Sequence, residues 1–417
     1  MRRLWELLGG NRDLRLLLTA SFVSFTGDWI LRTGIAYQIY VLTGSTLASA
    51  ATVVVSLLPQ LILGSVAGVF VDRWDRRRTM IGVNVLLAVG LLPLLAVDDR
   101  QHLWIVYLVL TVQSCLAPFF AAAEAAVVPT LVPAELRITA NALNGQVRDI
   151  ARLAGAGLGG VLAGVGGVAL LSVTATATFA VAAGVLAVIR RSRSTGGPAA
   201  KRRPHLLNEW RQGARIALVS PALRAIMFFT VITGAGEAIM GTLMAPFVRD
   251  VLHGNAQTYG VIMSAQAVGG IAGGVLATLF GHRVSPRRLA GYGAVAFGVL
   301  DLALFLYPLI MFKVWPAILL MVVIGLPGAL TIAGLMTVFQ DVTDDGHRGR
   351  VFGAMIALEA AAMMVGGALA GTLGGRIGIV PILAMQGVGY VVAGLLVLLM
   401  LPRRRPEPVA GSERAYR

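Results

Sequence analysis

The sequence predicts an all-α membrane protein of twelve transmembrane helices, arranged as two pseudo-symmetric six-helix bundles. Three observations lead there. Of 417 residues, 57% are hydrophobic and 13% charged, with a mean hydropathy of +0.80, beyond the range of soluble domains. Apolar runs of the roughly 20 residues that a helix needs to cross a bilayer recur twelve times between short polar or Gly/Pro breaks. The chain also matches itself. An offset of 209 sets Leu14, Arg15, Gly27, Asp28 and Thr33 on Leu223, Arg224, Gly236, Glu237 and Thr242, and an offset of 211 sets Gly155, Gly160, Gly164 and Arg193 on Gly366, Gly371, Gly375 and Arg404.

The first span, 14–41, is apolar except around Asp28 and Arg32, and it is long enough to remain as an anchor rather than a cleaved signal. The second, 46–71, ends in the charged loop 72–78, which must be very short because the third span starts at 79 and runs to 97. Span 4 covers 103–127 and holds Gln113, the single cysteine Cys115 and Glu124. Span 5 covers 144–165 and carries the small-residue run Gly155 to Gly160; span 6 covers 168–189. The longest polar segment, 190–221, reads as a cytoplasmic linker between bundles, with an amphipathic helix suggested where Leu206, Leu207, Trp210, Ile216 and Leu218 interleave with Glu209, Arg211 and Arg215. Spans 7 to 12 follow at 222–247, 257–280, 289–309, 314–339, 352–374 and 378–401. The domain reading is therefore a first bundle over 1–189, the linker over 190–221, a second bundle over 222–402 and a cytoplasmic tail over 403–417. Gly269, Gly270, Gly273 and Gly274 in span 8 read as helix packing.

The net charge of +15 admits a nucleic-acid binder until its placement is examined. Only Arg32, Arg100, Arg249, Lys313 and Arg376 fall on one side of the twelve-span layout, against the other 30 of the 35 basic residues. That asymmetry is the positive-inside pattern. It places both termini in the cytoplasm, leaves no continuous basic face for nucleic acid, and sets basic residues where anionic membrane lipid is within reach. The scattered histidines and lone cysteine suggest no metal site or disulfide. No nucleotide-binding loop appears, so no cofactor and no enzymatic activity are expected.

The loop after span 2 carries the strongest motif. Gly68, Asp72, Arg73, Arg76 and Arg77 fit the pattern Gly-x-x-x-Asp-Arg-x-Gly-Arg-Arg, with Asp75 in place of its central glycine. This resembles the loop between helices 2 and 3 of the major facilitator superfamily. Gly27-Asp28-Trp29, Leu131-Val132-Pro133, Ala140-Asn141-Ala142-Leu143 and Arg348-Gly349-Arg350-Val351-Phe352 resemble the branch that holds macrolide-efflux proteins and enterobactin exporters, over about residues 12 to 402. The resemblance implies the major facilitator fold, with a substrate cavity between halves near the membrane midplane. It also implies gating at one face by Gly68, Asp72, Arg73, Arg76 and Arg77, against the region of Arg348 and Arg350. The run Gly155-Ala156-Gly157-Leu158-Gly159-Gly160 is similar to the antiporter motif Gly-Pro-x-x-Gly-Gly without its proline, and the helix 4 arginine of many drug antiporters is missing.

An ionised side chain at a helix centre costs roughly 2.5 to 3.5 kcal/mol to insert. Asp28 and Arg32 stand four apart, on one helical face and able to pair, and Glu237 takes the repeat-related place of Asp28. These two carboxylates are the candidates for proton coupling. Phe25, Trp29, Arg32, Tyr37, Gln113, Met240, Met244 and Met336 are candidate cavity residues, an adaptable apolar set with a few polar groups. Glu124 is a candidate gate residue beside Arg148, Asp149 and Arg152, with interfacial anchoring as the plainer reading; Asp301 and Glu359 receive no role. The implied function is proton-coupled export of amphipathic small molecules such as drugs, macrolides or siderophore-like compounds from the cell by alternating access. A transporter of lysophospholipid or another lipid, and a non-transporting membrane receptor or scaffold, stay open as alternatives.

Overall fold

The computed structural model describes residues 11–71, 73–97, 99–133, 136–189, 220–343 and 345–401; within these, the side chains of 64–66, 69, 138, 142, 282 and 345–350 are not described. The proposed linker helix, the tail and Asp72 lie outside the described residues, as do the side chains of Arg348 and Arg350.

Helix α1 (Arg12–Thr43) starts where the Asn11 side chain accepts from the Leu14 amide at 2.9 Å, and it stops at Gly44, whose φ of +63° an ordinary side chain rarely adopts. Helix α2 (Thr46–Val71) leads to the motif loop, and there Asp75 accepts from the Arg78 amide at 2.8 Å. The residue that departs from the motif glycine is thus the N-cap of α3 (Arg76–Gly90). Helix α4 is Leu103–Val127. The next helical run, Arg137–Val188, is 52 residues long. At 1.5 Å per residue that is about 78 Å, more than twice the ~30 Å hydrocarbon thickness. It breaks at Gly167 (φ +57°, ψ −147°) into α5 (137–166) and α6 (168–188), which gives two crossings. The second half runs α7 (Pro221–Pro246), α8 (Ala256–Phe280), α9 (Pro286–Leu306), α10 (Trp315–Val342), α11 (Asp345–Ile377) and α12 (Ile379–Met400). Between α11 and α12 stands Gly378 at φ +105°, which is Gly167 displaced by the repeat offset of 211.

Packing groups the helices into two bundles. In the first, α1 lies along α5 and α6, while α3 contacts α4 and the same run and α2 pairs with α4. In the second, α7 packs on α11 and α12, α8 on α10, and α9 on α10 and α12. Gly269 and Gly273 allow the approach of α8 to α10, as their spacing suggests: a Cβ on Gly269 would lie 1.8 Å from the Val322 carbonyl oxygen. Large apolar side chains such as Ile62, Trp104, Val165 and Leu399 are exposed around the outside, where lipid rather than water is the natural solvent.

The arginines after α2 have a packing role within the bundle. Arg76 donates to the Ala126 carbonyl at 3.1 Å near the end of α4, and Arg77 donates to Leu186 at 2.9 Å and to Ala187 at the end of α6. Cations there satisfy orphan carbonyls at the negative pole of the helix. Arg287, at the start of α9, donates to the Leu398 carbonyl of α12, so the Arg77 clasp is repeated about 210 residues later. We expect Arg77→Gln and Arg287→Gln each to lower stability by about 1 kcal/mol, read as a fall in the melting temperature of the purified protein; an unchanged midpoint for both would deny the clasps a structural role.

Candidate functional site

The halves meet along two seams, α5 with α8 and α2 with α11. On the first, a Cβ added to Gly160 would stand 2.5 Å from the Cα of Gly260, so the two backbones touch. On the second, Thr46 Oγ1 donates to the Gly371 carbonyl at 2.8 Å. The glycine run of α5 therefore serves two partners: Gly155 and Gly159 face Trp29 and Ile30 of α1, while Gly157 and Gly160 face Ser264 and Gly260 of α8.

At one end the halves are joined by polar and aromatic contacts. There the Tyr37 and Tyr259 rings lie 5.7 Å apart, Tyr37 Oη donates to the Gly254 carbonyl at 3.4 Å, and Arg249 Nη1 donates to the Tyr40 carbonyl at 3.2 Å. Tyr40 Oη also hydrogen-bonds Asp250. Following α5 toward the opposite end, Leu153 still accepts from Ser264 Oγ at 3.1 Å, but a Cβ on Gly145, Gly274, Gly68 or Gly353 would meet nothing within 4 Å. The molecule is closed at the end where α1 finishes.

Asp28 sits midway along α1 in the first half. Its Oδ2 accepts from Arg32 Nε at 2.7 Å and its Oδ1 from Gln113 Nε2 of α4 at 2.6 Å. The i, i+4 spacing supplies the first bond; the second, with Gln113 buried, depends on how α4 folds back against α1. Next to this triad runs a ladder of cations on rings. The Arg148 guanidinium lies 4.5 Å from the Phe25 centroid and that of Arg152 lies 6.0 Å from Trp29, two pairs matched because both helices repeat at i, i+4. Glu124, fully buried, accepts from Ser21 Oγ at 2.5 Å and pairs with Arg148. All of these groups belong to the first bundle.

Glu237 occupies the matching place on α7 and receives the Tyr390 hydroxyl of α12 at 2.7 Å. Although it stands mid-helix, Glu237 is exposed, as is Glu359 of α11, whose backbone and side chain lie against Gly234. Arg152 of the first half and Glu237 of the second lie within electrostatic range of each other. The two repeat-related carboxylates thus have different partners, Arg32 and Gln113 for one, Tyr390 and distant Arg152 for the other.

The remaining cavity candidates divide by place. Met240 is buried with Gln386 Nε2 3.7 Å from its sulfur, Met244 is buried at 1% exposure, and Met336 on α10 is exposed. Tyr37 belongs to the closed end. Of the gate candidates, Arg73 is exposed, Arg76 and Arg77 are occupied by helix ends, and Gly68 meets no neighbour. Tyr390 was not foreseeable as the partner of Glu237, and Asp301, given no role from the sequence, lies buried in α9. Tyr390 is one apolar-flanked tyrosine in a long span, and only the contact of α7 with α12 brings it to Glu237. Among the described residues, no group of His, Cys, Asp and Glu is disposed to hold a metal ion.

The chain matches the family described as transmembrane secretion effector over residues 10–414. It is 25% identical over 416 residues to the enterobactin exporter EntS of Citrobacter koseri, covering 97% of this chain and 96% of that one. Its identity to macrolide efflux protein A of Streptococcus pyogenes is 24% over 361 residues, covering 86% and 88%. In structure it resembles the nucleoside transporter NupG (TM-score 0.74, 15% identity, 94% of this chain and 100% of that one). It also resembles a bacterial homologue of the iron transporter ferroportin in an inward-facing state (TM-score 0.73, 13% identity, 93% and 98%).

Proposed function

Because the chain belongs to the transmembrane secretion effector family of major facilitator transporters, we propose that it exports small amphipathic molecules across the cell membrane in exchange for protons. The observation that carries this reading is the pair Asp28 and Glu237, repeat-related carboxylates placed mid-span on α1 and α7 and held by donors at 2.6 to 2.7 Å. A carboxylate in the membrane interior is expensive. It is tolerated where it alternates between charged and proton-bearing forms as the halves rock. The relatives support the substrate class: EntS is an enterobactin exporter and the other a macrolide efflux protein, and the aromatic groups Phe25 and Trp29 beside Arg148 and Arg152 suit a ring-bearing cargo.

In this reading the 30-to-5 asymmetry of basic residues puts both termini in the cytoplasm, so the end where α1 begins faces the cell interior and the Tyr37, Tyr40, Arg249 and Asp250 contacts seal the exterior. Arg152 and Glu237, on opposite halves, sense each other across the cavity; a proton on Glu237 weakens that attraction and favours separation.

The test is efflux of a panel of dyes, macrolides and catecholate siderophores from energised cells, with and without a proton uncoupler. Accumulation of at least one compound that rises to the level of cells lacking the protein when the uncoupler is added is the expected result. Export that persists in full after the gradient collapses would remove the coupling half of the reading, and no export of any compound by correctly inserted protein would remove the substrate class.

A further inference from the structure

Arg148 and Arg152 are two copies of one arrangement, and the second copy lacks a part. They stand one turn apart on the same face of α5, each with its guanidinium over an aromatic ring of α1: Arg148 4.5 Å from the Phe25 centroid, Arg152 6.0 Å from that of Trp29. Arg148 also has a carboxylate, since its Nη2 pairs with Glu124 of α4. One turn nearer the middle of α4, where the matching acid for Arg152 would stand, the residue is Phe120, buried and edge-on to Phe25 at 5.8 Å. Among the described residues, Arg152 has neither a hydrogen bond nor an ion pair, and its Nε is buried without an acceptor. Glu237, a carboxylate within electrostatic range, belongs to the other half and receives the Tyr390 hydroxyl instead.

The surroundings leave the edge of this guanidinium bare. Gly270 of α8 lies opposite it, where a Cβ would stand 3.7 Å from Arg152 Nη2, and one turn further along α8 a Cβ on Gly274 would meet nothing within 4 Å. A larger residue at 270 would cover the fork. On α5 itself, Asn144 Oδ1 and Arg148 Nε are also buried without partners, so residues at i, i+4 and i+8 carry unmet polar atoms along one helical face.

An arginine level with the middle of α1 and lacking a counter-charge is costly. Its planar fork matches a carboxylate through two parallel hydrogen bonds. Arg148 displays the completed arrangement, with a ring on one face of the guanidinium and a carboxylate at its nitrogens. We infer that Arg152 receives its carboxylate from outside the chain: the site takes an anionic small molecule, with its carboxylate on Arg152 and its apolar body against Trp29 and the Gly270 and Gly274 positions of α8. The inference rests on the export reading in taking this molecule as cargo, and it adds a charge class: anions are bound in preference to neutral or cationic molecules of the same shape.

Binding to the purified full chain in nanodiscs of uncharged lipid, measured by calorimetry, tests the site without flux. Naphthoate, naphthamide and naphthylmethylammonium share a ring system and differ in charge. Naphthoate is expected to bind about tenfold or more tightly than naphthamide. Arg152→Gln should remove that preference and leave naphthamide binding unchanged, and Arg152→Lys, which keeps the charge without the fork, should restore only part of it. Equal binding of naphthoate and naphthamide by the wild type, tightest binding of the ammonium, no binding of any of the three, or a naphthoate preference that survives Arg152→Gln each overturns the site. If Arg152→Gln does not assemble, Gly270→Leu keeps the arginine and covers its fork; loss of the preference is expected, and an intact one is fatal to the inference. A naphthoate preference without export of any compound counts against the export reading alone, whereas coupled export with equal binding of the three probes counts against the Arg152 site alone.

Discussion

Asp28→Asn is expected to cut uphill export by about tenfold or more, equivalent to about 1.4 kcal/mol or more on the transport barrier, with little loss of protein from the membrane. The geometry separates the two effects. Asparagine keeps an oxygen for Arg32 Nε, and its amide nitrogen can donate to Gln113 Oε1 once that side-chain amide turns over, so the α1–α4 packing that Asp28 now anchors at 2.7 and 2.6 Å is largely conserved. What it removes is the charge and the capacity to bind and release a proton. Arg32 is then left without a counter-charge, at a depth where unpaired ions are penalised, which biases the protein toward the conformation in which Arg32 meets most water. Proton-driven accumulation in inverted vesicles, normalised to protein amount, measures the effect; wild-type rates and gradient dependence in Asp28→Asn would show that Asp28 is an ion-pair partner for Arg32 and no more.

Gly160→Leu and Gly260→Leu are expected to abolish export while leaving both bundles folded. At present the Gly160 Cβ position lies 2.5 Å from the Gly260 Cα and 2.6 Å from the Ala256 carbonyl oxygen. A leucine fits only if α5 and α8 separate, and overpacking of this kind costs typically about 1 to 3 kcal/mol. The separation falls on the seam between the halves rather than inside either one, so the closed end should be depopulated by roughly tenfold or more. Spin labels placed across the closed end would read longer distances in both variants by double electron–electron resonance. Gly184→Leu, at an α6 site where an added Cβ meets nothing within 4 Å, should leave distance and transport unchanged. Short closed-end distances in Gly160→Leu would show that the seam has room the structure does not display.

The spans were legible because the bilayer dictates them. Lengths of about 20 apolar residues with charged punctuation leave little freedom, and the expected division of spans 5 and 6 between 165 and 168 falls on the Gly167 break. The Asp28–Arg32 pair was legible because i, i+4 neighbours meet without reference to the rest of the fold. Partners brought in by helix–helix contact were not. Gln113 could be named but not assigned to Asp28. Tyr390 carried no signal, and the arginines of the motif loop read as gate charges with no hint that Arg76 and Arg77 also bond the ends of α4 and α6. Asp75 looked like an erosion of the motif, yet it supplies the cap that starts α3. Repeat arithmetic did better than motif matching here: an offset of 209 paired Asp28 with Glu237, and offsets of 210 and 211 connect the Arg77 and Arg287 clasps and the turns at Gly167 and Gly378.

Those two turns have a mechanical meaning. Each of the seam-forming helices α5 and α11 passes into its neighbour through a single left-handed glycine, with no loop to absorb displacement. A push on α5 from α8 must travel at once into α6, and from α6 through the Arg77 clasp into α3; α11, α12, Arg287 and α9 form the same train on the other side. The transporter is therefore geared without backlash: motion at the seam cannot be lost in slack, and each half must turn as a block or not at all.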